Sequence, residues 1–331
     1  MLHRPRRLRQ NSSIRALTTE THLQPHNFMA PLFAVEGKNI KSEIPSMPGY
    51  FRHSLDELKD EVKELWQLGC RAALLFVKVP ENLKDNEGRE ALNPNGLMQR
   101  AIQVIKDTAP DMLLMTDVAL DPYSIYGHDG IVKNGRIVND ASLTALQQMA
   151  VAHAQAGADF VAPSDMMDGR VQALREHLDA EGYTETGIMA YTAKYASCFY
   201  GPFREALDSA PTDAQDIPRH KKTYQMNPAN KREAAREVAL DEAEGADILM
   251  VKPAMAYLDI IHQTRQQSHL PVSAYHVSGE YAMLKAAAQK GWLDEEAAMI
   301  ESLTAIKRAG ADIIATYFVK DMLRYLQKPT V

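Results

Sequence analysis

The sequence of 331 residues is poor in cysteine and has no long apolar run. Its two cysteines, Cys70 and Cys198, are too few for a disulfide framework and lack CxxC spacing, which indicates a reducing compartment and predicts a cytoplasmic protein. No apolar run approaches the length that spans a membrane, and the basic N-terminus is not followed by the apolar stretch of a secretory signal. We therefore expect no membrane partner.

An excess of positive charge is also missing. The formal net charge is -6 at pH 7 and the isoelectric point is about 6.0, so the composition gives no reason to expect a nucleic acid as a partner. Hydrophobic residues make up 45% of the chain, which is enough to build a large core. Small-molecule chemistry is the function class that this balance favours.

Short apolar runs rich in β-branched and aliphatic residues alternate with helical segments along the chain, the pattern of repeated strand-helix units. Gly157, Gly245 and Gly310 each open a Gly-Ala-Asp phrase before such a run, where glycine fits the left-handed end of a helix. Eight units without a Gly-rich dinucleotide fingerprint favour a closed (β/α)8 TIM barrel over a doubly wound sheet. We predict an N-terminal arm over residues 1–25, a barrel over residues 26–331, and strands at 29–36, 72–79, 113–120, 158–164, 187–193, 246–253, 271–277 and 311–318.

Two lysines, Lys194 and Lys252, end strongly apolar runs on consecutive predicted strands, where barrel enzymes place their active sites. Two ammonium groups about 6 Å apart at an effective dielectric near 20 repel by roughly 3 kcal/mol, about two pKa units, and desolvation lowers their pKa further. One or both amines should then be neutral, as a nucleophile that forms an imine with a ketone must be. The structural alternative is that one lysine pairs with Asp117 or Asp247.

The segment over residues 195–230 is far longer than an ordinary strand-helix connection, and loops of that length are often lids. This segment offers cationic and amide donors that could clamp a substrate carboxylate above the lysines: Arg204, Lys221, Lys222 and Gln225. A solvated charge run is the alternative interpretation.

The end of the third predicted strand and the loop after it contain three carboxylates and a histidine: Asp117, Asp121, Asp129 and His128. Hard oxygen donors suit Mg²⁺ or a hydrated ion better than zinc, which prefers thiolates or several imidazoles. A loop without a tightly bound metal fits these residues equally well.

Three segments carry a resemblance to a known family: 191–205 (YTAKYASCFYGPFRE), 250–259 (MVKPAMAYLD) and 274–281 (AYHVSGEY). They resemble the signature segments of porphobilinogen synthases, also called 5-aminolaevulinate dehydratases, and the likeness runs essentially from end to end. The resemblance implies a lyase of tetrapyrrole biosynthesis, which condenses two molecules of 5-aminolaevulinate to porphobilinogen with loss of two waters.

The resemblance also implies roles for individual residues. Lys252 would bind the first substrate molecule, in the P site, and Lys194 the second, in the A site, each as a Schiff base. Asp117 would handle a proton or orient an amino group. The remaining substrate-binding positions are the P-site carboxylate ligands Ser278 and Tyr317, the A-site carboxylate ligands Arg204, Lys221 and Gln225, and the pocket residues Ser164 and Phe203. In the family, the position of Lys221 is often arginine.

Metals and assembly are likewise expectations from the resemblance. Zinc-dependent members carry three cysteines where Ala119, Asp121 and Asp129 stand here, so catalytic zinc is not expected. An allosteric Mg²⁺ near Glu237 is expected instead, and a monovalent cation near Asp121 and Asp129 stays open. The family forms homo-octamers built from dimers, with the basic N-terminal arm of one subunit wrapped around a neighbouring barrel.

Two other functions fit part of the pattern without the resemblance. A class I aldolase would use a single Schiff-base lysine in a barrel, and a non-catalytic barrel scaffold would leave both lysines with ordinary pKa values. The second lysine at a strand end separates the proposed reaction from both of them.

Overall fold

The computed structural model describes residues 2–212 and 217–328, so residues 213–216 of the predicted lid and 329–331 of the predicted barrel domain lie outside the described part. It contains the eight predicted strands, with bounds that differ by at most two residues from those expected. They are β1 (Phe28–Val35), β2 (Ala72–Lys78), β3 (Leu113–Val118), β4 (Phe160–Pro163), β5 (Gly187–Lys194), β6 (Ile248–Lys252), β7 (Val272–His276) and β8 (Ile313–Thr316).

The eight strands form a closed parallel barrel. Each pairs in parallel with the next, and β8 pairs with β1 through Phe28 opposite Ile314. Most strand residues are buried, because the barrel interior covers one face and the outer helices the other. The prediction of a (β/α)8 TIM barrel is confirmed.

Helices connect the strands and cover the outside of the barrel. Gly157 and Gly310 follow helices with φ of +108° and +124°, as the Gly-Ala-Asp repeat predicted. In the described part of the chain, no helix is long and apolar enough to cross a membrane. The α-helices are Ser12–Leu17, Leu55–Gln67, Leu97–Thr108, Asn139–Ala156, Arg170–Ala180, Gly201–Leu207, Arg232–Ala243, Leu258–Gln267, Ser278–Gln289, Glu295–Ala309 and Val319–Leu326.

Two hairpins were not predicted. Lys41–Ile44 and Met47–His53 pair with each other, and the second of these strands extends the sheet beside β1, where Arg52 lies opposite Phe33. A smaller hairpin joins Val132–Lys133 to Arg136–Ile137. These strands are short and mix polar with apolar residues, so no apolar run marks them in the sequence.

The first residues form two short helices, a 3-10 helix at Pro5–Arg9 and an α-helix at Ser12–Leu17, neither of which has a buried residue. Leu2, Leu8 and Leu17 are all exposed. The described barrel therefore leaves these three leucines in solvent.

Candidate active site

Lys194 and Lys252 are the last residues of β5 and β6, and they lie directly opposite each other in the strand register. Adjacent strands are about 4.8 Å apart, so their side chains leave the barrel side by side. Both are buried, with only 6% and 4% of their surfaces exposed. The structure thus places two lysines together at the C-terminal mouth of the barrel.

Aromatic rings surround the amine of Lys252. Its Nζ lies 4.4 Å from the ring centre of Tyr275, 4.7 Å from that of Phe203, 5.1 Å from that of Tyr191 and 5.3 Å from that of Tyr200. Burial lowers the pKa of Lys252 to about 7, with the charge of the neighbouring lysine acting in the same direction. A large fraction of this amine is therefore neutral near pH 7.

Lys194 has a different environment. Its Nζ forms an ion pair with Asp129 at 3.2 Å and donates a hydrogen bond to the carbonyl oxygen of Ser164. Asp129 also accepts a hydrogen bond from Lys221 at 2.6 Å. The alternative that one lysine pairs with Asp117 or Asp247 was therefore wrong, since Lys194 pairs with Asp129. The loop after β3 brings Asp129 over the barrel mouth.

Asp129 is completely buried between the two ammonium groups. Burial raises its pKa, but the charges of Lys194 and Lys221 outweigh this effect and hold it at about 2. Asp129 is therefore ionised at neutral pH and balances part of the positive charge in the site.

Asp117 extends from β3 into the same region. Burial, together with repulsion from Asp121, raises its pKa to about 7. Its Oδ1 atom is buried and has no hydrogen-bond partner in the described structure. A carboxyl group with this pKa can both hold and release a proton near neutral pH.

The predicted lid residues close over the lysines. Lys221 Nζ lies between Asp121 at 3.0 Å and Asp129 at 2.6 Å, and Gln225 Nε2 lies 3.5 Å from Asp129. Arg204 lines the same cavity, which has a volume of only about 20 Å³. Because this space holds about one water, the lid has to open before a substrate can enter.

The expected P-site carboxylate ligands lie behind Lys252. Ser278 Oγ accepts a hydrogen bond from the backbone N–H of Phe203 at 2.9 Å, and the hydroxyls of Tyr317 and Tyr275 are hydrogen-bonded at 2.9 Å. Phe203 and Tyr275 contact Lys252 through their rings. Ser278 is thus linked through Phe203, and Tyr317 through Tyr275, to rings that contact Lys252.

Glu237 lies apart from the other predicted site residues. It lines a separate cavity of about 500 Å³ together with Asp168 and Glu233. Burial raises its pKa, while the charge of Arg170 opposes the rise. The structure therefore does not bring Glu237 to the barrel mouth.

Sequence reasoning named Phe203 but missed the three tyrosine rings around Lys252. Tyr191 lies on β5, Tyr275 on β7, and Tyr200 at the end of the short 3-10 helix Cys198–Tyr200. The position of Tyr275 at the end of an apolar run was an available signal. The position of Tyr200 was not, because it depends on how the segment after β5 folds back.

Comparisons with known proteins show which family the chain belongs to. A family model described as delta-aminolevulinic acid dehydratase matches residues 2–325. The chain belongs to the delta-aminolevulinic acid dehydratase family. The resemblance seen in the sequence is thereby confirmed.

Among relatives in this family, the delta-aminolevulinic acid dehydratase of Chlamydia pneumoniae is 52% identical over 98% of this chain and 96% of its own length. The chloroplastic enzyme of Physcomitrium patens is 55% identical over 98% of this chain and 74% of its own length. The crystal structure of the Toxoplasma gondii ME49 enzyme, in complex with its reaction product porphobilinogen, matches with a TM-score of 0.96 and 50% identity over 100% of this chain and 95% of that one. The chain is a lyase of tetrapyrrole biosynthesis.

Proposed function

We propose that this chain condenses two molecules of 5-aminolaevulinate to porphobilinogen through Schiff bases on Lys252 and Lys194. One observation carries the mechanism: the two lysines lie opposite each other, buried, at the ends of adjacent strands. The lowered pKa of Lys252 supports a nucleophilic amine near pH 7. A single-lysine aldolase would not need the second amine.

The two lysines account for the two waters that leave. Each amine attacks a substrate ketone, and the ketone oxygen departs as water when the imine forms. In the C–C step, a carbon next to one imine loses a proton and attacks the imine carbon of the other substrate molecule. In the C–N step, the free amino group of that other molecule attacks the imine carbon of the molecule that lost the proton, and each lysine leaves as an amine that takes up a proton released from carbon or nitrogen. Formation of the iminium also lowers the cost of deprotonating the neighbouring carbon, which is why lysine rather than serine is suited to this step.

Lys252 is proposed to react with the first substrate molecule because it has no carboxylate partner within salt-bridge distance in the described structure, whereas Lys194 is paired with Asp129. Ser278 and Tyr317 would hold the carboxylate of this first molecule. Arrival of a second molecule under the lid would bring its own carboxylate to the positively charged groups there, which are Arg204 and Lys221, with Gln225 as an amide donor.

Asp117 is the proposed acid and base of the site. Its pKa of about 7 lets it accept a proton from one step and return it in another. Its unpartnered Oδ1 atom indicates that a polar group of the substrate completes its hydrogen bonding. Ser164, whose carbonyl oxygen accepts from Lys194, would line the pocket beside it.

Mg²⁺ is proposed to bind at Glu237 as an allosteric ion. In the described part of the chain no group of three or more His, Cys, Asp or Glu side chains could hold a metal. A hydrated Mg²⁺ needs only one or two carboxylates, and the cavity beside Glu237 and Asp168 has room for its waters. Measuring activity after chelation and Mg²⁺ addition, in the wild type and in Glu237→Gln, tests this site, because the variant should lose the stimulation.

The residues near Asp121 and Asp129 do not fit a second cation. The ammonium group of Lys221 already lies between these carboxylates, and Lys194 neutralises Asp129 from the other side. No ion has a part in the proposed reaction at this position. The homo-octamer and the cytoplasmic location stay predictions, and the plant relatives are named as chloroplastic enzymes.

Porphobilinogen formation by lysine variants tests the proposal. Lys252→Gln and Lys194→Gln should each lower kcat by about 10³-fold or more, the scale of losing a covalent nucleophile. Lys106→Gln is the control, because Lys106 pairs with Asp159 just before β4, at the opposite end of the barrel. Near wild-type activity in either active-site variant would contradict the mechanism.

A further inference from the structure

A fully buried carboxylate, Glu280, lies behind the predicted P site and has no role in the chemistry above. Its Oε1 atom accepts hydrogen bonds from the backbone N–H groups of Met255 at 2.8 Å and Ala256 at 3.4 Å. Its Oε2 atom accepts one from Val277 at 2.9 Å. The two oxygens of one carboxylate therefore bind two different loops.

These two loops carry the P-site residues. Met255 and Ala256 lie three and four residues after Lys252, in the 3-10 helix Met255–Tyr257. Val277 directly precedes Ser278, the proposed ligand of the first substrate's carboxylate. Glu280 thus ties the backbone that follows the nucleophile to the backbone that carries the carboxylate ligand.

Neighbouring contacts further restrict the backbone around Lys252 and Ser278. The carbonyl oxygen of Lys252 accepts hydrogen bonds from the Tyr195 N–H at 3.0 Å and the Tyr200 hydroxyl at 3.2 Å. On the other side, a Cβ at Gly279 would lie 2.5 Å from the carbonyl oxygen of Phe199, so the chain approaches too closely for any side chain. The backbone positions of Lys252 and Ser278 are therefore set by close packing rather than by a flexible loop.

We propose that Glu280 is a positioning residue that fixes the distance between the amine of Lys252 and the hydroxyl of Ser278, and so selects a first substrate with the right number of carbons between ketone and carboxylate. This inference rests on the proposed function, since it assumes an imine at Lys252. The Glu280 carboxylate accepts hydrogen bonds from backbone N–H groups in the described structure, so it would act through the residues that it holds.

The test compares two keto acids that differ by one methylene. Laevulinate has the ketone-to-carboxylate spacing of 5-aminolaevulinate, and 5-oxohexanoate is one carbon longer. The rate at which borohydride traps each of them on Lys252 gives a length preference. One methylene in a fitted pocket is worth about 10-fold or more, so the wild type should trap laevulinate at least about tenfold faster.

Glu280→Gln keeps the size of the side chain but replaces one acceptor oxygen with an NH₂ group. The backbone N–H of one of the two loops then faces another donor and loses its hydrogen bond. The preference for laevulinate should fall below about threefold in this variant, mainly through faster relative trapping of the longer acid. Asp247→Asn is the control, because Asp247 directly precedes β6 at the end of the barrel opposite Lys252, where its carboxylate accepts the Ile188 N–H at 2.7 Å. This control should keep the wild-type preference.

Glu280→Asp provides a second test if the glutamine variant does not fold, because the shorter acid reaches only one of the two loops and should also lose the preference. A wild-type preference for laevulinate in a folded variant, including one in which both keto acids are trapped equally more slowly, would overturn the positioning role. Absence of any trapping on Lys252 in the wild type would instead overturn the proposed function and, with it, this inference.

Discussion

Lys194 and Lys252 occupy equivalent ends of neighbouring strands but differ in their charge environment. Lys252 faces aromatic rings that exclude water, whereas Lys194 faces the ionised carboxylate of Asp129. Two lysines with the same surroundings would have no physical basis for binding the two substrate molecules in a fixed order. The difference leaves the amine of Lys252 free for a ketone while the amine of Lys194 is held by Asp129.

The pH dependence of imine formation should follow Lys252. Its pKa lies at about 7, below the ordinary lysine value, so the neutral amine becomes the main form as the pH rises through 7. The rate of borohydride trapping of 5-aminolaevulinate on Lys252 should therefore increase up to about pH 7 and level off above it. A rate that continues to rise towards pH 10 would show an ordinary lysine and contradict the lowered pKa.

Asp129→Asn should destabilise the protein because it leaves two buried ammonium groups without their shared counter-charge. Losing one partner of a buried ion pair costs roughly 3 to 5 kcal/mol, which should appear as a lower midpoint of urea unfolding at pH 7. Asp179→Asn is the control, since Asp179 forms a more exposed pair with Arg175, expected to contribute less than about 1 kcal/mol. Equal midpoints for the two variants would argue against the charge network.

At the scale of elements, the lid is held by the loop after β3. His128 is buried and its Nε2 lies 2.7 Å from the carbonyl oxygen of Pro218, while its Nδ1 lies 2.9 Å from the hydroxyl of Tyr224. The Tyr224 hydroxyl in turn accepts the Asp129 N–H at 3.3 Å. A neutral ring protonated on Nε2 satisfies these bonds, in agreement with the burial that lowers the pKa of His128.

Tyr224→Phe should weaken lid closure without removing a residue from the reaction. The variant loses the hydrogen bonds of one hydroxyl, worth about 1 to 1.5 kcal/mol, so KM should rise by roughly 5- to 10-fold while kcat changes less. Steady-state kinetics of porphobilinogen formation measures this split. Tyr325→Phe, on the last helix, should keep both constants, and an unchanged KM in Tyr224→Phe would exclude the lid contact as a determinant of substrate binding.

The sequence predicted the strands of the barrel well and the contacts between loops poorly. Buried parallel strands are marked by local apolar runs, and Gly157 and Gly310 mark helix ends through their own backbone conformation. The hairpin Lys41–Ile44 and Met47–His53 has no such signal, because its stability comes from packing beside β1. Local sequence patterns therefore predict strands that have an apolar run of their own, and they miss strands that depend on packing against another part of the chain.

At the scale of the whole molecule, closure of the barrel creates the site. It brings Asp117 on β3, Lys194 on β5, Lys252 on β6 and Tyr317 after β8 to one end, which the order of the strands alone predicts. The pairing of Lys194 with Asp129 could not be predicted in the same way. It depends on the path of a loop that leaves β3 and returns across the mouth.

Residues 1–25 should control assembly rather than chemistry. The described helices of this segment bury no residue, and Leu2, Leu8 and Leu17 are exposed, so we propose that these leucines pack on another subunit. Deletion of residues 2–20 should reduce the mass measured by analytical ultracentrifugation to that of a smaller oligomer. An unchanged mass would contradict a role of this segment in assembly.

Peptide mass spectrometry after borohydride reduction with 5-aminolaevulinate tests the central claim most directly, because it reports which amines form imines. A substrate adduct should appear on Lys252 at low substrate concentration and on both Lys252 and Lys194 at saturation. An adduct on a single lysine at every concentration, or on neither of these two residues, would contradict a reaction that uses both amines at the barrel mouth.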